Sequence, residues 1–218
     1  MSRHIQLFLS FLFMFAAANS QPPFYSDIQN FKKQDSTHFP PAHAILFIGS
    51  SSFTKWTDIQ DYFPRYPIIN RAFGGSTLED VIRYSDDIIF PYHPKQIVIY
   101  CGENDLAASD TVTAQDVFSR FKKLFTTIRH HYPRIPVVYV SMKPSPSRKH
   151  LISKFITGNA LIKNYLITKQ NTRFIDVFHK MLNSHGYPIS NIFVEDSLHM
   201  NSKGYVMWQK AIAPYLIK

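Results

Sequence analysis

The sequence predicts an α/β domain with a central parallel sheet of about five strands, on three observations. Five short apolar runs are near-continuous rather than alternating, the pattern of strands covered on both faces. The segments between them carry apolar residues at helical spacing. Four of the seven glycines, Gly49, Gly74, Gly75 and Gly102, fall just after the first three runs, where a chain leaving a strand must turn sharply.

The elements follow in order. Residues 1–20 read as an export signal: Arg3 and His4 lead into an apolar run from Ile5 to Ala18, and small residues follow at Ala16–Ser20. At ~1.5 Å per residue a helix over that run reaches about 21 Å, short of the ~30 Å hydrocarbon core. Cleavage there leaves no stable membrane span, and the expected location is secreted or periplasmic. Residues 21–42, rich in proline and polar groups, read as an N-terminal arm, and 43–218 as one domain. The strands are expected at Ala44–Ile48, Ile68–Ala72, Gln96–Cys101, Pro136–Met142 and Arg173–Val177. In 113–132, Val117, Phe121, Leu124, Phe125 and Ile128 lie on one helix face, and Pro133 and Pro136 close it. Segments 153–169 and 202–217 repeat that spacing, the second with Asn201 or Ser202 placed to cap it. Strand–helix alternation of this kind builds a parallel sheet with crossover helices.

Composition narrows the function. Charged residues make up 18% and hydrophobic residues 45% of the 218, which excludes a disordered chain. No G-x-G-x-x-G and no phosphate loop occurs. One cysteine, Cys101, excludes an intrachain disulfide and a cysteine-based zinc site. The net charge of +9 comes from scattered lysines and arginines, which fits a solvated basic surface, and no nucleic-acid partner is expected from it.

In open parallel sheets, sites lie beyond the carboxyl ends of the strands, where this chain places its glycines. The first turn, Gly49-Ser50-Ser51-Ser52, puts a serine at a strand-to-helix junction, a nucleophile position; three serines also suit a helix cap. The second, Phe73-Gly74-Gly75-Ser76, can aim a backbone N–H into a pocket or serve as a plain tight turn. The third, Gly102-Glu103-Asn104-Asp105, offers an uncharged amide donor or an Asx turn. Near the C-terminus, Asp196 and His199 are spaced so that a carboxylate can hold one imidazole nitrogen while the other faces a hydroxyl. Among the ten histidines, His199 alone combines an aspartate three residues earlier with a position leading directly into a helix.

Together these four pieces resemble the SGNH (GDSL-type) hydrolase family, over Ile45 to about Tyr205. By that resemblance Ser51 matches the nucleophile, Gly75 the second-block glycine, Asn104 the G-x-N-D asparagine, and Asp196 and His199 the D-x-x-H pair. Block I reads Gly49-Ser50-Ser51 where the family usually has Gly-Asp-Ser. The resemblance implies a flavodoxin-like three-layer α/β/α sandwich and a serine esterase acting through an acyl-enzyme. The oxyanion would be held by the N–H groups of Ser51 and Gly75 and by the Asn104 amide. It implies small acyl esters, O-acetylated glycans or lysolipids as substrates. A serine site of this type requires neither metal nor organic cofactor. The loop Lys143-Pro144-Ser145-Pro146-Ser147-Arg148 follows the fourth strand at the same edge, so either Lys143, Ser145 and Arg148 meet substrate or the segment is a plain surface loop. An acyltransferase sharing the acyl-enzyme and a non-catalytic carbohydrate- or lipid-binding module are the alternatives.

Overall fold

Each of the five apolar runs becomes a strand: β1 (Ile45–Gly49), β2 (Ile68–Asn70), β3 (Gln96–Tyr100), β4 (Val137–Val140) and β5 (Thr172–Ile175). The structure, a computed structural model, describes residues 21–218, and the export signal expected over 1–20 lies outside them. The strands form one parallel sheet in the order β2-β1-β3-β4-β5. Strand side chains alternate between faces, and the core divides accordingly. Leu46, Ile48, Ile97, Ile99, Val137 and Tyr139 join one apolar cluster, and Ile45, Phe47, Val98, Tyr100, Val138 and Val140 the other.

Helices cover both faces. On the first lie α4 (Leu78–Arg83), α5 (Ser85–Ile88), α7 (Ala114–His131) and α8 (Ile152–Ile167), through buried residues such as Val81, Ile88, Phe121 and Ile162. On the second lie α2 (Ser51–Thr54), α3 (Ile59–Tyr62) and α9 (Ser202–Ile212), through Phe53, Ile59 and Trp208. The short α6 (Glu103–Ala107) follows β3. The α7 stripe of Val117, Phe121, Leu124, Phe125 and Ile128 is buried as its spacing predicts, and Thr113 and Asp116 close a capping box at its start. Asn201, not Ser202, caps α9, its side chain accepting from the N–H groups of Lys203 and Gly204. Among the described residues no helix is long and apolar enough to cross a membrane.

The segment expected as an arm is more ordered than its composition suggests. Tyr25–Thr37 forms a helix, α1, which buries Ile28 and packs Phe24 and Phe31 on the first cluster. Those three residues stand four and three apart, one helix face hidden among polar neighbours. A buried clamp fixes its far end. The Arg71 guanidinium pairs with Asp35 and donates 2.7 Å to the Tyr92 hydroxyl, which itself donates to Asp35. The same guanidinium lies 5.2 and 4.9 Å from the Phe31 and Tyr92 ring centres.

The strand order places β1 between β2 and β3, so the chain leaves β1 toward one side and β3 toward the other. That reversal opens a crevice beyond their carboxyl ends. Ser51 and Asn104 stand at its two sides.

Candidate active site

Ser51 opens α2 directly after β1. At Gly49 the backbone takes φ +127°, and a β-carbon there would lie 1.9 Å from the Tyr100 carbonyl oxygen. Only glycine lets β1 pass that close to β3. The next N–H, of Ser50, donates 3.0 Å to the same carbonyl. Ser50 then runs extended and makes no side-chain cap, so capping does not occupy its hydroxyl. Ser50 and Ser52 are buried, whereas Ser51 is half-exposed.

The Ser51 Oγ lies 3.0 Å from His199 Nε2, across 148 positions of sequence. The other ring nitrogen, Nδ1, lies 2.6 Å from Asp196 Oδ2. Asp196 Oδ1 accepts from the backbone N–H groups of Leu198 and His199 at 2.9 and 2.8 Å. Burial pushes the Asp196 carboxyl up, but the hydrogen bonds from the His199 ring and from these two N–H groups outweigh it. The carboxyl is held well below the usual carboxylate range and stays ionised. The supporting turn is built locally: Ser197 adopts a left-handed φ of 55° and its N–H donates 2.9 Å to the Val194 carbonyl. Val194 N–H in turn donates 2.9 Å to the His199 carbonyl. A line of carboxylate, imidazole and hydroxyl at these distances can move a proton off the serine as its oxygen attacks a carbonyl.

Gly74 stands beside Ser51, with Gly75 next in the chain. A β-carbon on Gly74 would lie 3.9 Å from Ser51 Cβ, and one on Gly75, where φ is +85°, would meet the Phe24 ring at 3.8 Å. Among the described residues, the N–H groups of Ser51 and Gly75 donate to no protein acceptor. Asn104 stands in the first turn of α6. Its Nδ2 donates 3.0 Å to the Ser76 carbonyl, one of its two N–H groups.

Two neighbours that sequence reasoning left without a role hold this edge together. The Ser76 hydroxyl, fully buried, donates 3.0 Å to the Gly49 carbonyl, which also accepts from Phe73 N–H. Thus the second turn is tied to the end of β1. Asp105, also fully buried, accepts from Leu78 N–H at 3.0 Å and from Arg120 at 3.0 Å, pinning the start of α4. Burial pushes its carboxyl up, against the pull of those donors. Their signal was position, a small or acidic residue beside a glycine turn, but their partners lie more than a dozen residues away.

The loop after β4 corrects the expectation for its residues. Lys143 is 1% exposed and its ammonium lies 3.1 and 3.3 Å from the two oxygens of Glu103, itself buried. Burial pushes the Lys143 pKa down, and the Glu103 carboxylate opposes that. A buried carboxylate needs a counter-charge, and Lys143 supplies it, so it does not line a substrate surface. Ser145 is fully enclosed, and its hydroxyl has no partner among the described residues. Only Arg148 reaches the site edge, donating 2.8 Å to Asn104 Oδ1.

The D-x-x-H spacing occurs three times, and at the first the Asp35 carboxylate is taken by Arg71 and Tyr92 rather than by His38. Asp176 and His179 make the same 2.6 Å pair, with the same carboxylate accepting from His179 N–H at 3.0 Å. That imidazole is 71% exposed, against 16% for His199. Among the described residues no group of three or more metal-ligating side chains is close enough to hold an ion.

Residues 46–207 match the family described as GDSL-like lipase/acylhydrolase. The chain belongs to that family. This GDSL-like acylhydrolase shares 24% identity over 194 residues with an N-acylneuraminate cytidylyltransferase of Escherichia coli O18:K1:H7, covering 87% of this chain. It spans only 44% of that relative's length. Among solved structures, a GDSL-like lipase from Bacteroides thetaiotaomicron superposes with TM-score 0.73 at 19% identity, covering 86% of this chain and 95% of the other. An acetyl-xylooligosaccharide esterase from Geobacillus Stearmophilus gives 0.61 at 13%, covering 79% and 94%. At such identities the likeness to the two structures is one of fold.

Proposed function

We propose that this GDSL-like acylhydrolase is an exported serine esterase that hydrolyses small acyl esters through an acyl-enzyme. The observation that carries the reading is the unbroken line from Asp196 through His199 to Ser51, at 2.6 and 3.0 Å.

In this reading Ser51 Oγ attacks the ester carbonyl while its proton passes to His199 Nε2. Asp196 stabilises the imidazolium and fixes the ring. The negative oxygen of the tetrahedral intermediate accepts from the N–H groups of Ser51 and Gly75 and from the second Nδ2 hydrogen of Asn104. The bond to the leaving oxygen then breaks as His199 returns the proton to it. Water attacks the acyl-serine by the same route, releasing the acid and restoring the hydroxyl.

Acetyl esters on sugars are the favoured substrate class. The E. coli relative is named for an acylated acidic sugar and the Geobacillus neighbour for an acetylated oligosaccharide. The basic surface of scattered lysines and arginines suits an anionic glycan. The test is turnover of p-nitrophenyl acetate and of O-acetylated glycans by the parent and by Ser51→Ala, with labelling by a serine-directed organophosphate. The parent is expected to turn over and take up one label. Ser51→Ala is expected to lose about 10⁴-fold or more in kcat and to take up none. Equal activity in the two proteins would refute the assignment.

A further inference from the structure

A primary amide is nearly the same shape at both ends, so an oxyanion donor built from asparagine works only if something decides which end faces the substrate. We propose that Arg148 is that positioning residue, acting on the reaction through Asn104. The proposal rests on the esterase reading above.

Two contacts select the orientation. Asn104 Oδ1 accepts from Arg148 Nη2 at 2.8 Å, and Nδ2 donates to the Ser76 carbonyl at 3.0 Å. Turning the amide over would set its NH₂ against a guanidinium, which carries only donors, and its oxygen against a carbonyl, which carries only acceptors. Both contacts would become repulsive together. The orientation that remains leaves one Nδ2 hydrogen free for the oxyanion. A cation on Oδ1 also draws electron density toward that oxygen and makes the N–H a stronger donor.

The guanidinium is itself held from behind. Arg148 Nη1 lies 3.5 Å from Glu103 Oε1, on the carboxylate that also carries Lys143. Two cations thus share one buried anion. The loop backbone is anchored on the other side of the site. Ser147 donates through its N–H at 3.1 Å and its hydroxyl at 3.0 Å to the Ser197 carbonyl, between Asp196 and His199. Residues 143–148 therefore strut the oxyanion donor against the turn carrying the base.

The experiment is a double-mutant cycle on p-nitrophenyl acetate: Arg148→Ala, Asn104→Ala and the pair, with Arg148→Lys as the conservative variant. Removing the donor outright costs ~10²–10³ in kcat, which bounds the effect of misorienting it. Arg148→Ala is expected to lower kcat about 10- to 50-fold with KM within about threefold, and Arg148→Lys to recover part of that. In the Asn104→Ala background, Arg148→Ala is expected to cost less than about twofold more, because the group it orients is gone. Costs that multiply in the pair would overturn the proposal. So would an unchanged kcat with KM raised only for anionic esters, the signature of direct substrate contact. If Arg148→Ala melts at the assay temperature, Arg148→Lys, which keeps a cation beside Glu103, carries the same cycle. A parent with no ester turnover, or with turnover that Ser51→Ala retains, refutes the esterase reading instead, and is seen before any Arg148 variant is measured.

Discussion

Asp196→Asn offers a severe test of the proton-relay geometry because the substitution only exchanges one carboxylate oxygen for an NH₂ and removes its charge. The two shapes are nearly identical, and the amide has two ways to sit. With its oxygen in the place of Oδ1 it still accepts from Leu198 and His199 N–H, at 2.9 and 2.8 Å. Its NH₂ then occupies the place of Oδ2, 2.6 Å from His199 Nδ1. Turned over, it would point two donors at two backbone donors, forfeiting both bonds. The first orientation therefore wins, and it forces Nδ1 to become an acceptor. The neutral ring must then carry its hydrogen on Nε2, which faces Ser51 Oγ 3.0 Å away. A protonated Nε2 cannot take the serine proton. The wrong tautomer at a serine–histidine–aspartate site costs up to ~10⁴ in kcat, about 5 kcal/mol of barrier at ~1.36 kcal/mol per factor of ten. Because the Asp196 side chain is 46% exposed, water can reach the ring and relieve part of this, so the expected loss lies between about 10² and 10⁴. The assay is kcat on p-nitrophenyl acetate with a thermal melt beside it. The melt is expected to stay within a few degrees of the parent. A variant retaining more than a tenth of parental kcat would show that the carboxylate does not set the tautomer.

Three further outcomes are expected. Asn104→Asp keeps the side-chain volume and gains an ion pair with Arg148, yet it turns a carboxylate toward the developing oxyanion. Its kcat should fall by at least the ~10²–10³ of losing the donor, and its melting temperature should fall as well, since a carboxylate oxygen replaces the N–H donated to the Ser76 carbonyl; kcat within tenfold of the parent would remove Asn104 from the oxyanion site. Tyr92 is pushed up to about 12 by burial and by its hydrogen bond to Asp35. A raised pKa stabilises the fold below the unfolded tyrosine value near 10, and this contribution fades as pH rises from there through about 12. Denaturant titrations at pH 9 and 11.5 should show the parent losing up to about 2 kcal/mol that Tyr92→Phe does not lose. Since Asp196 is held well below the usual carboxylate range, kcat should show no inflection near pH 4; one at that pH, absent in Asp196→Asn, would contradict the hydrogen-bond pattern around it.

The five strands and the long helix α7 were legible in the sequence because each is dictated locally. A parallel strand buried on both faces must be apolar throughout, and an amphipathic helix must repeat at three and four. The glycine turns were legible for a similar reason, since Gly49 sits where any β-carbon would collide with Tyr100. Helix α1 escaped notice because its apolar face is only three residues, Phe24, Ile28 and Phe31, and its anchor Arg71 lies 36 positions from Asp35. The basic loop was misread for the same kind of reason. Lys143 looks like a surface cation until Glu103, 40 positions away, is placed against it.

The three D-x-x-H sequences separate the two levels most sharply. The spacing alone makes a carboxylate–imidazole bond available at all three, but Asp35 is taken by Arg71 and Tyr92, and the bond closes at Asp176–His179 and Asp196–His199. Both pairs form at 2.6 Å. Which of them faces a serine is not a local property. It follows from the sheet carrying the end of β1 to the C-terminal turn, a juxtaposition made by core packing of residues remote in the chain, and it selects His199.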